Sequence, residues 1–334
     1  MRALSLFVVG LVIALAAEVE GLSDAQRLQV VRQGLSHLAE SQREDGSIGQ
    51  GAGLTALAGM AFLAGGHTPT RGGYRDTQQR ILEHVLKAQD PLTGYLGADY
   101  GNMYAHGFAT LYLAECYGMT PDPRVRRSLE AALDLIYRSQ NPEGGWRYRP
   151  VPLEADISVT ICQVMALRAA YNIGVGGLRS QESLAQALGY VRKCIAPNGS
   201  VAYMLGYNSS SSGVDGVPRA AAATMSLIGA GVTSLDDPSF GPVLRFLQRH
   251  VYDHVQSTRH WYWYGQYYAA QAMFHSPVEG DWEKYQEVAF PTIARYQEKD
   301  GSWTRPDNQG GSLASSVALI ILQIPNNYLP IFQR

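Results

Sequence analysis

The sequence predicts an all-α protein in which six pairs of helices close into a double-walled ring, an (α/α)6 toroid with a central cavity. Two observations predict this architecture. A turn phrase recurs six times along the chain, and each copy lies between an amphipathic helix and a helix that is apolar nearly all round. The copies are about 50 residues apart, a period typical of stacked two-helix units.

The turn phrase ends each outer helix. Its copies start at Gln42, Gln89, Gln140, Ile195, Gln248 and Gln297. All copies except the degenerate QRHVYDH at Gln248 contain glycine, and their Asp, Asn and Pro residues predict helix C-caps and β-turns. The preceding helices carry one apolar stripe, as at Leu129, Ala132, Leu133 and Ile136, and therefore have one face toward solvent.

The inner helices follow the turns. Their segments are small or apolar on every side, so we expect them to be buried on every side. The expected positions are residues 54–64, 104–117, 158–173, 220–230, 267–274 and 313–322. We find no strand-period segment and no linker, which predicts a single toroid domain over residues 22–334.

Residues 1–21 have the pattern of a signal peptide. Met1 and Arg2 precede an apolar run over residues 3–17, and small residues follow. The pattern predicts export to the periplasm or the outside of the cell, with an uncleaved anchor as the alternative. The three cysteines, Cys116, Cys162 and Cys194, allow at most one disulfide, so packing must hold the core together.

The chain resembles the prenyltransferase and squalene-oxidase repeat proteins. The resemblance rests on the turns QNPEGGW, ending at Trp146, and QEKDGSW, ending at Trp303. It covers the chain from about Ser23 onward and implies the toroid fold. The segments NMYAHGFATLYLAECYGM, GGWRYRPVPLEADISVT, HWYWYGQYYAAQAMF and NYLPIFQR most resemble exported members from planctomycete-type bacteria.

Two enzyme groups share that fold. The resemblance to protein prenyltransferases places Asp156-Ile-Ser158 where a zinc-binding Asp-x-Cys stands, and Trp263 and Tyr264 where a histidine is expected. Zinc therefore lacks ligands, and we expect no metal. The resemblance to type II terpene cyclases places Glu154-Ala-Asp156-Ile157 on their Asp-x-Asp-Asp motif. It implies that Asp156 is the general acid, although isoleucine replaces the last aspartate and the second helical domain is missing.

Asp156, Glu154 and His106 are the candidate catalytic residues, and each has alternatives. Asp156 fits equally well as the N-cap of the third inner helix. The neighbouring carboxylate of Glu154 would raise one pKa and keep a proton available, unless an arginine neutralises the pair. His106, at the start of the second inner helix, is either a proton carrier or a structural histidine.

Aromatic and basic residues near the helix starts are candidates for ligand binding. They are Tyr104, Trp146, Arg147, Arg149, Tyr203, Arg219, Trp261, Trp263 and Tyr264. Aromatic rings stabilise cations and stack on sugars, although core packing explains part of the cluster. The chain has 20 tyrosines and 8 phenylalanines, which favours a cavity of mixed polarity.

Three functions therefore stay open. The first is a terpene-cyclase-like enzyme acting on an isoprenoid or amphipathic ligand. The second is a non-catalytic module that binds a glycan, a lipid or a protein at its rim, and the third is a polysaccharide lyase-like enzyme. With a net charge of −2 and scattered basic residues, we expect no nucleic-acid partner, and we expect no cofactor. The serine tract at residues 208–213 is either a lid or a surface loop.

Overall fold

The computed structural model describes residues 21–97, 102–206, 213–258, 261–304, 306 and 311–333. This part of the chain contains twelve α-helices and no β-strand beyond isolated bridges. The predicted signal peptide, apart from Gly21, and the serine tract, apart from Gly213, lie outside the described residues. None of the helices in the described ranges is long and apolar enough to cross a membrane.

The helices alternate between an outer and an inner wall. The outer helices are α1 (Asp24–Glu40), α3 (Arg75–Lys87), α5 (Pro123–Ser139), α7 (Gly177–Cys194), α9 (Phe240–Val255) and α11 (Asp281–Arg295). The inner helices are α2 (Gly51–Ala64), α4 (Met103–Met119), α6 (Ile157–Asn172), α8 (Val217–Gly229), α10 (Tyr262–Phe274) and α12 (Ser312–Gln323). Each inner helix packs against the next, and α12 packs against α2, so the ring closes and the predicted toroid is confirmed.

The repeated glutamine ties each turn to the next outer helix. The amide of Gln140 donates to the carbonyl oxygens of Gly144, at 2.7 Å, and Ser183, at 2.9 Å, and therefore joins its own turn to α7. Equivalent pairs of bonds are made by Gln42, Gln89 and Gln297. Because Gln297 reaches Val30 in α1, this contact also helps to join the two ends of the ring.

The glycine of the turn is required by backbone geometry. Gly144 has a φ of 102°, and a Cβ atom there would lie 2.2 Å from the carbonyl oxygen of Gln186. The same close approach recurs at Gly46, Gly94, Gly199 and Gly301. The copy at Gln248 lacks this glycine turn. There the glutamine contacts the next outer helix through a side chain, because Gln248 donates to the carboxylate of Asp281 in α11 at 2.8 Å.

Side chains fill the middle of the ring. Phe108 of α4 and Tyr267 of α10 lie on opposite inner helices, and their ring centroids are 5.8 Å apart. The hydroxyl of Tyr268 lies 3.2 Å from the Cys162 sulfur. The predicted central cavity is therefore restricted to one end of the ring. All three cysteines are free and buried.

The C-terminal segment closes the other end, where the inner helices finish. A 3₁₀ turn at Pro330–Phe332 packs on α4 and α6, and Leu329 and Phe332 are buried. The amide of Ile331 donates to Glu115, a fully buried carboxyl near the end of α4. Within the described part of the chain, the cavity therefore lies at the end where the inner helices begin.

Candidate functional site

A cavity of about 610 Å³ opens where four inner helices begin. Its described lining residues are Asn102, Tyr104, Tyr148, Ser158, Tyr203, Asp215, Arg219, Trp261 and Tyr264. Every one of these nine side chains carries a nitrogen or oxygen atom, and five of them are aromatic. The wall therefore combines flat ring faces with polar edges, and the helix N-termini add partial positive charge.

Two equivalent tyrosines are anchored by the repeat. Tyr148 and Tyr203 each follow a turn glycine by four residues. The carbonyl of Tyr148 accepts from Met103, and that of Tyr203 accepts from Ile157, each at 3.0 Å. Each tyrosine therefore satisfies a free amide at the start of the preceding inner helix. Their hydroxyls are hydrogen bonded to each other across the mouth.

The remaining aromatic residues are set by the first turns of α4 and α10. Asn102 caps α4 and accepts from the amide of Tyr104 at 2.8 Å. The ring of Tyr104 meets the edge of Tyr264 from the opposite helix, with centroids 6.4 Å apart. Trp261 precedes α10 with a φ of 64° and its side chain is 57% exposed. A bulky residue in the left-handed region costs free energy, and Trp261 adopts this conformation where its side chain lines the cavity.

Asp156 lies behind this wall as the N-cap of α6. Its Oδ1 accepts from the amides of Ser158, at 3.0 Å, and Val159, at 2.9 Å, and from the Ser158 hydroxyl at 2.6 Å. Its Oδ2 is buried and has no hydrogen-bond partner within the described part of the chain. Burial raises the pKa of Asp156 despite the bonds that its carboxyl accepts.

Arg147 lies outside the cavity lining. It forms an ion pair of 2.7 Å with Glu154, and its Nε stays 3.8 Å from Oδ2 of Asp156. Arg147, Arg149 and Glu154 line a separate surface pocket of about 400 Å³, which adjoins the cavity at Tyr148. Glu154 is therefore neutralised by an arginine rather than facing Asp156 as a second acid.

His106 lies outside the cavity lining. Both ring nitrogens are engaged by the main chain, Nδ1 with the amide of Leu96 at 3.2 Å and Nε2 with the carbonyl of Ala132 at 3.1 Å. The ring is fully buried, and burial lowers the pKa of His106 to about 4. These contacts give it a packing role between α4, α5 and the preceding turn.

Two predicted binding tryptophans are also core residues. The indole of Trp146 is buried and donates to the carbonyl of Ile136 at 2.8 Å. Trp303 makes the equivalent bond to Ile293, so the tryptophan of the turn phrase serves the packing of the repeat. Trp263 is fully buried and packs on Tyr262, with centroids 5.1 Å apart.

Five predicted residues come together in the cavity lining. They are Tyr104, Tyr203, Arg219, Trp261 and Tyr264. Tyr148, Asn102 and Ser158 were not predicted to bind ligand. Tyr148 could have been found from the sequence, because it follows its turn glycine by four residues, as the predicted binding residue Tyr203 does. Within the described ranges, no group of three His, Cys, Asp or Glu side chains could hold a metal ion.

Neither a protein-family model nor a curated protein sequence matches the chain. Solved structures do match it. A cellobiose 2-epimerase from Spirochaeta thermophila aligns with a TM-score of 0.66 and 13% identity, over 89% of this chain and 95% of that one. An inactive α-1,6-mannanase variant from Salegentibacter, in complex with α-1,6-mannotriose, aligns with a TM-score of 0.64 and 9% identity, over 92% of this chain and 100% of that one.

A type II terpene cyclase from Scytonema, in complex with geranylgeranyl dihydroxybenzoate, also matches. Its TM-score is 0.59 at 15% identity, over 91% of this chain and 98% of that one. These proteins act on different classes of compound, and at such low identity the similarity shows the fold alone. The chain therefore has the (α/α)6 toroid fold that terpene cyclases share with sugar epimerases and glycosidases.

Proposed function

We propose that the cavity binds a saccharide, with its aromatic ring faces against the sugar and its polar edges on the hydroxyls. The observation that carries this proposal is the lining, in which every described side chain has a polar atom and five present an aromatic ring. A ring of hydroxyls and C–H faces is the ligand chemistry that uses both features at once.

The cost of desolvation favours a saccharide over a hydrocarbon. A hydrocarbon chain would cover the hydroxyls of Tyr148 and Tyr203 and the side-chain amide of Asn102. It would add no hydrogen bond to the one that joins the two hydroxyls or to the one that Asn102 accepts. Each buried group left unpaired costs about 1–3 kcal/mol. Sugar hydroxyls both donate and accept, so they can replace the water that these groups lose. Arg219 and Asp215 on the same wall suit ligands with charged as well as neutral substituents.

A terpene-cyclase-like reaction is the second candidate. Asp156 favours it, because the carboxyl is buried, its pKa is raised and one of its oxygens has no hydrogen-bond partner among the described residues. Against it, Asp156 does not line the cavity and its other oxygen caps α6. Catalytic roles for Asp156, Glu154 and His106, export, and kinship with planctomycete-type proteins stay predictions.

A ligand panel tests the proposal by thermal shift and calorimetry. The purified protein is mixed with cellobiose, α-1,6-mannotriose, digalacturonate and geranylgeraniol, because a ligand of the folded state raises the melting temperature. We expect a shift with at least one saccharide. Trp261→Ala should weaken that binding about tenfold through lost stacking. The matched control is Tyr328→Ala, which removes another exposed aromatic side chain, at the closed end of the ring.

The other outcomes decide between the candidates. A shift with geranylgeraniol alone, lost in Asp156→Asn, would replace the saccharide proposal with the cyclase reading. A saccharide shift that survives Trp261→Ala unchanged would place the ligand elsewhere on the protein. No shift with any saccharide would overturn the proposal.

A further inference from the structure

A continuous chain of hydrogen bonds joins the cavity to the buried carboxyl of Asp156. The hydroxyl of Tyr104 donates to the Oγ of Ser158 at 2.5 Å, and that Oγ donates to Oδ1 of Asp156 at 2.6 Å. Tyr104 and Ser158 line the cavity, whereas Asp156 is fully buried behind them. Both bonds are as short as hydroxyl bonds to charged or strongly polarised groups become.

The ion pair between this carboxyl and Arg147 is long and contains no hydrogen bond. The nearest arginine atom, Nε of Arg147, is 3.8 Å from Oδ2, which is beyond hydrogen-bond distance. Arg147 is held by Glu154 instead. The Tyr203 hydroxyl lies near enough to lower the pKa of Asp156, although Oδ2 accepts no hydrogen bond of normal geometry within the described part of the chain. A buried carboxyl that accepts no hydrogen bond from a cation can take up and release a proton more readily than one that is hydrogen bonded to a cation.

The helix cap explains only part of this arrangement. In the turn after α11, Asp300 and Ser302 make two of the three contacts, with the Ser302 hydroxyl 2.7 Å and its amide 3.0 Å from Oδ1 of Asp300. That carboxyl is largely exposed, and the Ser302 hydroxyl has no tyrosine donor among the described residues. The added features at Ser158 are a buried carboxyl on one side and a cavity tyrosine on the other.

We propose that Tyr104, Ser158 and Asp156 form a proton relay through which the site accepts a proton from a bound ligand and returns it. In the accepting direction, a ligand C–H or O–H bond breaks, its electron pair stays on the ligand, and the proton bonds to the oxygen of Tyr104. The tyrosine proton moves to Ser158, and the serine proton moves to Asp156, whose carboxylate becomes a carboxylic acid. The reverse sequence donates a proton.

Each residue has a distinct part in this relay. Tyr104 is the group that faces the ligand, and Ser158 positions it and passes the proton. Burial raises the pKa of Tyr104 far above its ordinary value, which disfavours a free tyrosinate. A concerted shift avoids that species, because Tyr104 gains one proton as it loses another. The identity of the ligand that exchanges a proton with the relay rests on the proposed saccharide function, and the relay itself does not.

The titration of Asp156 can be measured without interference from the groups around it. Arg147 and Glu154 are its charged neighbours, and they compensate each other. The other titratable groups that influence it, or that it influences, are neutral at physiological pH because burial raises their pKa values. They are Tyr104, Tyr190, Tyr203, Tyr264, Cys162 and Cys194.

A ligand-free titration tests the relay directly. Carbon-13 NMR follows the carboxyl of Asp156 and the ring carbon that bears the Tyr104 hydroxyl as the pH of the full chain is varied. We expect both signals to change with the same midpoint, above the ordinary aspartate pKa of about 3.9. In Ser158→Ala the amides of residues 158 and 159 still cap the carboxyl, so the Asp156 titration should persist while the Tyr104 response falls to the smaller through-space effect of the Asp156 charge.

The matched control is Ser302→Ala, which removes a serine from the same local geometry away from the cavity. It should leave the shared midpoint of Asp156 and Tyr104 unchanged. If Tyr104 does not follow Asp156 in the wild type, or follows it with undiminished amplitude in Ser158→Ala, the relay is overturned. This result does not depend on which ligand the cavity binds.

A second measurement tests whether the relay acts on a ligand. Cellobiose and digalacturonate are incubated with the protein in D2O, and deuterium entering their carbon-bound positions is measured by NMR. Ser158→Ala and Tyr104→Phe should slow incorporation at least about a hundredfold, while Ser302→Ala should not. Binding of a probe without exchange would overturn the catalytic use of the relay. Failure of every probe to bind would overturn the saccharide proposal, and the titration would still decide the relay.

Discussion

The two ends of the ring use the same twelve helices for opposite purposes. At the open end, the segments between turn and inner helix carry Tyr148 and Tyr203 into a cavity. At the closed end, Leu329 and Phe332 of the C-terminal segment are buried against the ends of the inner helices. The helical walls are alike at both ends, so the connecting segments decide whether an end binds a ligand or completes the core.

Each end also holds a fully buried carboxyl, Asp156 or Glu115, and the two differ in their connections. Asp156 at the open end is linked to the cavity through Ser158 and Tyr104. Glu115 at the closed end accepts one bond, from the amide of Ile331, and its Oε1 has no partner in the described part of the chain. Burial raises the pKa of both carboxyls, to about 8 for Glu115. Of these two carboxyls, the proposed relay gives Asp156 alone a route for proton exchange with the cavity.

The largest effect is expected from Phe332→Ala. Phe332 is 1% exposed, and removing a buried phenylalanine ring leaves a cavity in the closed end. We expect the free energy of unfolding to fall by about 4 kcal/mol, measured by denaturant titration. The control is Tyr328→Ala, from the same segment but 48% exposed, which should cost well under half as much. Equal losses from the two variants would contradict the view that this segment completes the core.

The next largest effect is the pH dependence of stability, to which Glu115 at the closed end and two buried histidines contribute. Between pH 4.5 and 8 the folded protein holds a proton on Glu115 that the unfolded chain releases, so Glu115 lowers stability as pH rises through this range. His106 and His254 have pKa values lowered to about 4 by burial, so they lower stability as pH falls from 6.5 to 4. The histidines lower stability below pH 6.5 and Glu115 lowers it at higher pH, so these groups together predict maximal stability near pH 6.5.

Glu115→Gln tests the carboxyl contribution to that optimum. The variant keeps the shape of the side chain and cannot ionise, so at pH 8 its unfolding free energy should exceed that of the wild type on the order of 3 kcal/mol. At pH 5 the two proteins should differ much less. Thermal unfolding across this pH range measures the difference. The control Glu154→Gln, at an exposed ion pair, should change stability by about 1 kcal/mol or less at either pH. Parallel curves for Glu115→Gln and the wild type would refute the assignment.

The fold was largely predictable from the sequence because its signals are local and repeated. The turn phrase and the all-apolar segments identified all six inner helices. The largest boundary difference is in α10, which begins at Tyr262 rather than residue 267. The aromatic run before residue 267 has no periodicity that marks a helix start. The packing of Phe108 against Tyr267 across the ring was not predictable, because it joins helices far apart in sequence.

The site was predictable only in part, because side-chain direction and hydrogen-bond partners are tertiary properties. Tyr104, Trp261 and Tyr264 were found because helix starts share one end of the ring. The position of His106 in sequence gives no indication that two main-chain groups occupy its nitrogens. The role of Ser158 was missed for the same reason, since Tyr104 reaches it from a neighbouring helix.

The smallest effect is expected at the open end, from Asp156 itself. Asp156→Ala removes the N-cap of α6 and should lower the unfolding free energy by about 1 kcal/mol, whereas Asp156→Asn keeps an accepting oxygen and should cost about half that or less. Asp122→Ala, at the N-cap of α5, is the matched control for capping alone. Because burial raises the pKa of Asp156, the wild type loses stability as pH rises above the ordinary aspartate range, and Asp156→Asn should lose less.

Denaturant titrations at two pH values separate these contributions. If Asp156→Asn gained as much stability at high pH as Glu115→Gln, the carboxyls at the two ends would be equivalent buried acids. The expected difference is that the open-end carboxyl contributes little to pH-dependent stability, since Ser158 and Val159 donate three hydrogen bonds to it, whereas Glu115 accepts one. Hydrogen bonds to the ionised form limit the cost of its charge, so Asp156 can gain and lose a proton without unfolding the helix that it caps.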